Sequence, residues 1–146
     1  HVRSRRQRQM CIRDRAYTNI QPNDLIITSD TTVWVDDDSL EKASNREEAY
    51  EMIKKLSGKT HSVYTSVTIR SLEKEVTFSD ETQVTFADLT DEEIYFYIDN
   101  YKPFDKAGAY GVQEWIGYIG VENMNGSYFN VMGLPTHKLY KELVKF

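Results

Sequence analysis

The sequence has few of the residues that mark several protein classes. One cysteine, Cys11, allows no intrachain disulfide and predicts no cysteine-based metal site, so we interpret it as an inert thiol in a reducing cytoplasm. The three histidines are too scattered to predict a metal cluster, and structural roles are favoured for His61 and His137. No apolar run approaches the roughly 20 residues of a membrane-spanning helix. The basic N-terminus is not followed by an apolar stretch, so no secretory signal is predicted.

Charge is divided unevenly along the chain. Residues 1–15 hold six arginines and one acidic residue, whereas residues 16–146 hold 12 basic and 22 acidic residues, a formal net charge of −10. The acidic part argues against general nucleic-acid binding. The basic part leaves open a transit peptide or an RNA-contacting arm. Because Met10 to Arg15 resembles translated adapter sequence, we favour an interpretation of residues 1–15 as a disordered artefact.

Apolar patterning predicts one α/β domain over residues 16–146. Three segments have the β-branched residues and two-residue period of strands, and the last two are expected to pair: residues 24–35, 61–70 and 75–86. Three helices have N-terminal signals: capping boxes at Ser44 and Thr90, and a proline at Pro135. A further strand is predicted over residues 116–121, and turns at residues 36–38 and 125–126.

Two places in the sequence have residues suited to chemistry. Asp30 follows the apolar start of a strand, where a carboxylate can bind a divalent metal or activate water, and a solvated aspartate is the alternative. The Asp105–Gly111 segment joins small residues to Lys106, a cation suited to phosphate, but lacks the order of a P-loop, so a plain surface loop is as good an interpretation. Gln113 has an amide that can read a base edge, and Lys42 is an isolated cation expected to be exposed.

Four segments, in order, resemble the motifs of the Maf family of nucleotide pyrophosphatases. They span most of residues 20–146: Ser29–Val33, Leu56–Thr65, Asp105–Gln113 and Gly126–Pro135. The resemblance implies an α/β fold of the Maf/ITPase-like type, a mixed twisted sheet flanked by helices, here lacking the first strand, loop and helix. It also implies a cytoplasmic hydrolase that splits a nucleoside triphosphate into the monophosphate and pyrophosphate with a divalent cation, Mg²⁺ or Mn²⁺.

The resemblance assigns roles to five residues. Asp30 matches the proton acceptor that would activate water toward the α-phosphorus, and it is the one residue kept as a candidate metal ligand. Lys42 and Lys106 match cations on the phosphate side. Thr31 and Gln113 match positions that tune the choice of base, and their identities resemble the branch that acts on dTTP and UTP rather than on methylated GTP.

Two departures from the family pattern bear on activity. Lys42 lies between Glu41 and Ala43, where the family has glycine and proline, which weakens its assignment. The Ser-x-Ser-Pro-Arg-Arg loop that grips the triphosphate is absent, and the Ser4-Arg5-Arg6 string lacks its proline and the strand before it. Lysine cannot replace the bidentate arginine contacts, so we expect this incomplete chain to have little or no activity.

Two alternatives to an active enzyme stay open at this point. One is a catalytically inactive remnant that binds nucleotide, and the other is a regulator of cell division. A nucleoside triphosphate is the expected partner of the chain, and neither nucleic acid nor membrane is an expected partner. A homodimer is also left open, because the absence of the first strand and helix would leave apolar surface uncovered.

Overall fold

The computed structural model describes residues 18–146, and within them five strands form one sheet of order β2-β1-β3-β4-β5. The strands are β1 (Ile26–Val35), β2 (Asp38–Leu40), β3 (Thr60–Arg70), β4 (Glu75–Phe86) and β5 (Val121–Asn125). The helices are α1 (Arg46–Leu56), α2 (Asp91–Tyr101), α3 (Trp115–Gly120), α4 (Tyr128–Met132) and α5 (Thr136–Lys145). The predicted α/β class with a helix-flanked sheet is confirmed, and every strand pairing among these residues is antiparallel. The interpretations of Cys11 and of residues 1–15 concern residues outside those described.

The long hairpin of β3 and β4 is the centre of the sheet. The two strands pair over their whole length, from Thr60 opposite Thr85 to Arg70 opposite Glu75, which confirms the predicted pairing. On its other side β3 pairs with β1, so that Thr31 lies opposite Thr65. The predicted turn after β1 is also present, and Asp36 has the positive φ of 49° that lets a short turn reverse the chain into β2.

The two predicted capping boxes are present, but the one at the start of α1 lies one residue further along the chain than predicted. Thr90 and Glu93 form the predicted capping box at the start of α2. At the start of α1, however, the N-cap is Asn45 and not Ser44, because the Asn45 side chain accepts the Glu48 N–H at 2.9 Å. The Glu48 carboxylate then accepts the Ser44 N–H at 2.8 Å, so the reciprocal pattern of a capping box holds one residue further along.

The prediction of a strand over residues 116–121 is wrong. This stretch is helix α3, and the strand β5 begins only at Val121. Ile116 and Gly120, four residues apart, are buried, while Tyr118 between them is exposed, which is the spacing of a helix face. A short apolar run does not distinguish these two structures by periodicity.

The core lies mainly between the sheet and helices α1 and α2. Ala49, Ile53 and Leu56 of α1 and Ile94 of α2 are fully buried there. A second, smaller cluster lies under α5, where three residues predicted to face inward pack against β3: Leu139, Leu143 and Phe146. No helix within residues 18–146 combines the length and apolar character needed to cross a membrane.

Candidate active site

All five residues that the sequence singles out line one cavity of about 320 Å³. They are Asp30, Thr31, Lys42, Lys106 and Gln113. Strand β1 forms one wall, the loop between α2 and α3 forms a second, and the last residues of α4 with Gly133 form a third. The sheet and two connecting segments thus bring together side chains that are up to 83 positions apart in the sequence.

Lys42 reaches the cavity because its segment is hydrogen-bonded to the glycine-containing loop. The Gly108 N–H is shared between the carbonyl oxygens of Leu40 and Glu41, at 3.2 Å each, and Lys42 forms a bridge with Ala107. Gly108 has a φ of +69°, and a Cβ there would come within 3.1 Å of the Val33 side chain in β1. The loop therefore needs glycine to lie this close to the strand. Lys42 lines the cavity without the flanking glycine and proline of the family pattern.

Lys106 lies between two carboxylates. Its Nζ is 3.1 Å from Asp105 Oδ1 and 3.5 Å from Glu114 Oε1, and its side chain is 27% exposed. Burial acts to lower the pKa of Lys106, but the hydrogen bond to Asp105 and the charge of Glu114 outweigh it and raise that pKa. The same hydrogen bond lowers the pKa of Asp105. Lys106 is therefore a fixed cation at the cavity wall.

Tyr97 of α2 holds the Glu114 end of this arrangement. Its hydroxyl donates to Glu114 Oε1 at 3.0 Å and accepts the Gly111 N–H at 3.0 Å. A Cβ on Gly111 would lie 2.5 Å from Glu114 Oε1 and 3.0 Å from Lys106 Cε, so both side chains cross over this glycine. Burial raises the pKa of Tyr97, which keeps the hydroxyl protonated as a donor. Neither Tyr97 nor Glu114 was expected at the site, because their contacts to the loop join distant parts of the chain.

A buried pair lies behind the cavity wall. His61 Nε2 is 2.7 Å from the hydroxyl of Tyr110, which lines the cavity, and Phe86 packs edge-on against both rings. Burial lowers the pKa of His61 to about 4. A neutral, buried histidine that supports an aromatic wall agrees with the structural role predicted for His61. Tyr110 lies inside the Asp105–Gln113 motif, but its buried contact with His61 joins distant parts of the chain and has no local signal in the sequence.

The cavity offers oxygen donors that suit a hard divalent cation. The carboxylates of Asp30 and Asp105 line it, and Mg²⁺ is commonly held by one or two carboxylates together with substrate phosphates. Among residues 18–146, no three or more His, Cys, Asp or Glu side chains form a group that could hold a metal by themselves. The two carboxylates therefore fit a cation that shares its coordination with phosphate oxygens.

Comparison with known proteins agrees with this site. The model of the family described as Maf-like protein matches residues 5–146, and the chain therefore belongs to the Maf family. The dTTP/UTP pyrophosphatase of Phocaeicola vulgatus is 54% identical over 136 residues, 92% of this chain and 70% of that protein.

Two further relatives have the same name. The dTTP/UTP pyrophosphatase of Parabacteroides distasonis is 58% identical over 124 residues, which cover 85% of this chain and 64% of that protein. That of Bacteroides thetaiotaomicron is 53% identical over 131 residues, 89% of this chain and 68% of that protein. The aligned part thus makes up between 64% and 70% of the length of these three relatives.

Proposed function

We propose that the chain is a cytoplasmic nucleoside triphosphate pyrophosphatase that hydrolyses dTTP and UTP to the monophosphate and pyrophosphate. The observation that supports this most strongly is the single cavity that joins Asp30 to Lys42, Lys106 and a glycine-containing loop. Such a cavity offers a base, cations for phosphate and a close backbone approach. The names of three relatives at 53% to 58% identity support the choice of dTTP and UTP.

Asp30 is the proposed general base. Its carboxylate would take a proton from a water molecule while the water oxygen attacks the α-phosphorus. The bond from the α-phosphorus to the oxygen that bridges the β-phosphorus breaks, and pyrophosphate leaves with this oxygen and the electron pair of the bond. The water oxygen remains on the nucleoside monophosphate.

The triphosphate is the proposed ligand of the lysines. Lys42 is exposed at the cavity and Lys106 is held against the loop, so the two cations can bind different phosphates. A bound Mg²⁺ or Mn²⁺, held by Asp30 and Asp105, would neutralise further charge on the phosphate oxygens. Replacing either lysine by methionine is expected to raise KM for UTP roughly tenfold, because a charge-assisted hydrogen bond is lost.

The nucleobase of the substrate is the proposed ligand of Thr31 and Gln113. Gln113 is exposed at the cavity, where its amide N–H can donate to a carbonyl oxygen of uracil or thymine. Thr31 lies on the β1 wall and follows Asp30, the proposed general base, in the sequence. In this arrangement Thr31 and Gln113 would bind the nucleobase, and Lys42 and Lys106 would bind the phosphates.

The test is pyrophosphate release from dTTP and UTP with Mn²⁺ or Mg²⁺, using the Phocaeicola vulgatus relative as the reference. Because the sequence lacks the Ser-x-Ser-Pro-Arg-Arg loop, we expect a rate well below that of the relative. Asp30→Asn should lower the chain's own rate by roughly 10²- to 10⁴-fold, the usual contribution of a general base.

The matched control is Asp37→Asn, which changes an exposed aspartate in the turn after β1. Asp37 has a φ of +64°, a conformation that asparagine adopts readily, so the fold should be retained. Nucleotide binding without pyrophosphate release above the Asp30→Asn level would support the inactive remnant instead. Equal rates for Asp30→Asn and Asp37→Asn would contradict the role of Asp30.

A further inference from the structure

The direction of one hydrogen-bond chain at the cavity is fixed by proton counting. The hydroxyl oxygens of Thr31 and Thr65 are 2.9 Å apart, and either could donate to the other. Thr65 Oγ1 also lies 2.9 Å from the carbonyl oxygen of Asn130, which can only accept. Thr65 has a single hydroxyl proton and gives it to Asn130, so Thr31 must donate to Thr65. The Thr31 hydroxyl therefore has only lone pairs left for the cavity.

The Asn130 end of this hydrogen-bond chain is held rigidly. Asn130 of α4 is fully buried, and its side-chain NH₂ donates to the Val63 carbonyl at 3.3 Å and to Thr82 Oγ1 at 2.8 Å. Thr82 in turn accepts the Ser127 N–H at 3.1 Å. These bonds tie the start and middle of α4 to strands β3 and β4. The Asn130 carbonyl that accepts from Thr65 consequently cannot turn away without breaking several bonds.

The Thr31 hydroxyl is open toward the cavity on the side of Gly133. This glycine caps α4 with a φ of +115°, and a Cβ there would lie 3.5 Å from Thr31 Oγ1, in ordinary van der Waals contact with it. Because glycine has no side chain, no atom of residue 133 fills this side of Thr31 Oγ1, and both residues line the cavity. Thr65 itself is fully buried and does not reach the cavity surface.

We propose that Thr65 is a positioning residue that presents Thr31 as a hydrogen-bond acceptor to the N3–H of uracil or thymine, and this rests on the proposed function. Uracil and cytosine have nearly the same shape, but N3 carries a proton in uracil and a lone pair in cytosine. A fixed acceptor attracts the first and repels the second. Thr65 would therefore contribute to base selection without touching the base.

Binding of non-hydrolysable nucleotides tests this without requiring catalysis. The α,β-imido analogues of UTP and CTP are titrated into the full 146-residue chain with Mg²⁺, and the ratio of their Kd values is measured. We expect the uridine analogue to bind roughly tenfold to a hundredfold more tightly, the effect of one satisfied rather than opposed hydrogen bond. Equal affinities for the two analogues in the unmodified chain would overturn the proposal.

The decisive variant is Thr65→Val, which keeps the shape of the side chain and removes the hydroxyl. The Thr31 hydroxyl then loses its acceptor and is free to donate its proton to N3 of cytosine. We expect tighter binding of the cytidine analogue and roughly tenfold less discrimination. Thr65→Ser should restore the original ratio. A loss of structure alone would weaken both analogues equally, and that result would refute the role of Thr65.

Two controls separate this proposal from the proposed function. Thr68→Val replaces another buried threonine of β3, whose hydroxyl pairs with that of Thr77 at 2.8 Å. Thr68 does not line the cavity, so the ratio of the Kd values of the two analogues should be unchanged. The α,β-imido analogue of N3-methyl-UTP lacks the proton in question and should bind the unmodified chain as weakly as the cytidine analogue. If it binds as tightly as the uridine analogue, the proposal is wrong. That result would not contradict the proposed pyrophosphatase activity, because pyrophosphate release from UTP is measured in a separate assay.

Discussion

Acidification is expected to destabilise the fold through His61. The pKa of this buried histidine is lowered by burial to about 4, against about 6.5 in an unfolded chain. Between these two values the unfolded state binds a proton that the folded state does not. The contribution of neutral His61 to the free energy of unfolding is therefore fully present above pH 6.5 and is lost as the pH falls toward 4.

The magnitude follows from the two pKa values. Lowering the pH from 7.5 to 5 should remove about 2 kcal/mol of the free energy of unfolding, because each pH unit in this window is worth about 1.4 kcal/mol. Urea unfolding, followed by tryptophan fluorescence at several pH values, measures this loss. With an m-value of roughly 2 kcal/mol per molar urea, the midpoint should fall by about 1 M.

The variant that isolates this effect is His61→Gln, since glutamine can still offer an amide to the Tyr110 hydroxyl but does not titrate. We expect it to be less stable than the unmodified chain at pH 7.5 and to lose about 2 kcal/mol less between pH 7.5 and 5. The control is His137→Gln, which removes an exposed histidine of α5 and should leave the loss due to His61 in place. If the unmodified chain and His61→Gln lose the same stability over this range, the reasoning is refuted.

The remaining predictions concern the loop and helix beside the cavity. Tyr97→Phe removes both hydrogen bonds of the buried hydroxyl and strands a buried backbone N–H, so the free energy of unfolding should fall by about 2 to 3 kcal/mol; a change below about 0.5 kcal/mol in a urea titration would argue against this contact. Gly117→Ala places a Cβ onto the Val112 carbonyl oxygen and should cost about 3 kcal/mol or prevent folding. Gly120→Ala, in the same helix, meets only ordinary contacts and should change stability by less than about 1 kcal/mol, as circular dichroism melts of the two variants would show.

Local signals in the sequence were enough to predict much of the fold. Alternation identified β3 and β4, and the capping box at Thr90 identified the start of α2, since each pattern acts within a few residues. The strand predicted over residues 116–121 is instead α3, because six apolar and small residues fit either structure. Only burial of Ile116 and Gly120 on one side distinguishes them, and that depends on tertiary packing.

The candidate site was predictable as a set of residues but not as a network. Motif order identified Asp30, Lys106 and the other lining residues, which come together in one cavity. The groups that hold them have no local signature. Tyr97 lies on α2, 17 positions before Glu114, and its function as both donor and acceptor depends on the path of the loop between them.

The charge of the domain gives the two carboxylates beside Lys106 different tasks. Residues 16–146 have a formal net charge of −10, so the triphosphate of the proposed function would meet overall repulsion that local cations must offset. The Asp105 side chain is 76% exposed, whereas that of Glu114 is 20% exposed and is held by Tyr97. In the proposed function, a phosphate bound to Lys106 would displace Asp105 into solvent at little energetic cost, while Glu114 would keep the ammonium group in place. Asp105, once released from the lysine, would then be able to share a divalent cation with the same phosphate, so that a repulsive carboxylate would become part of the proposed binding site.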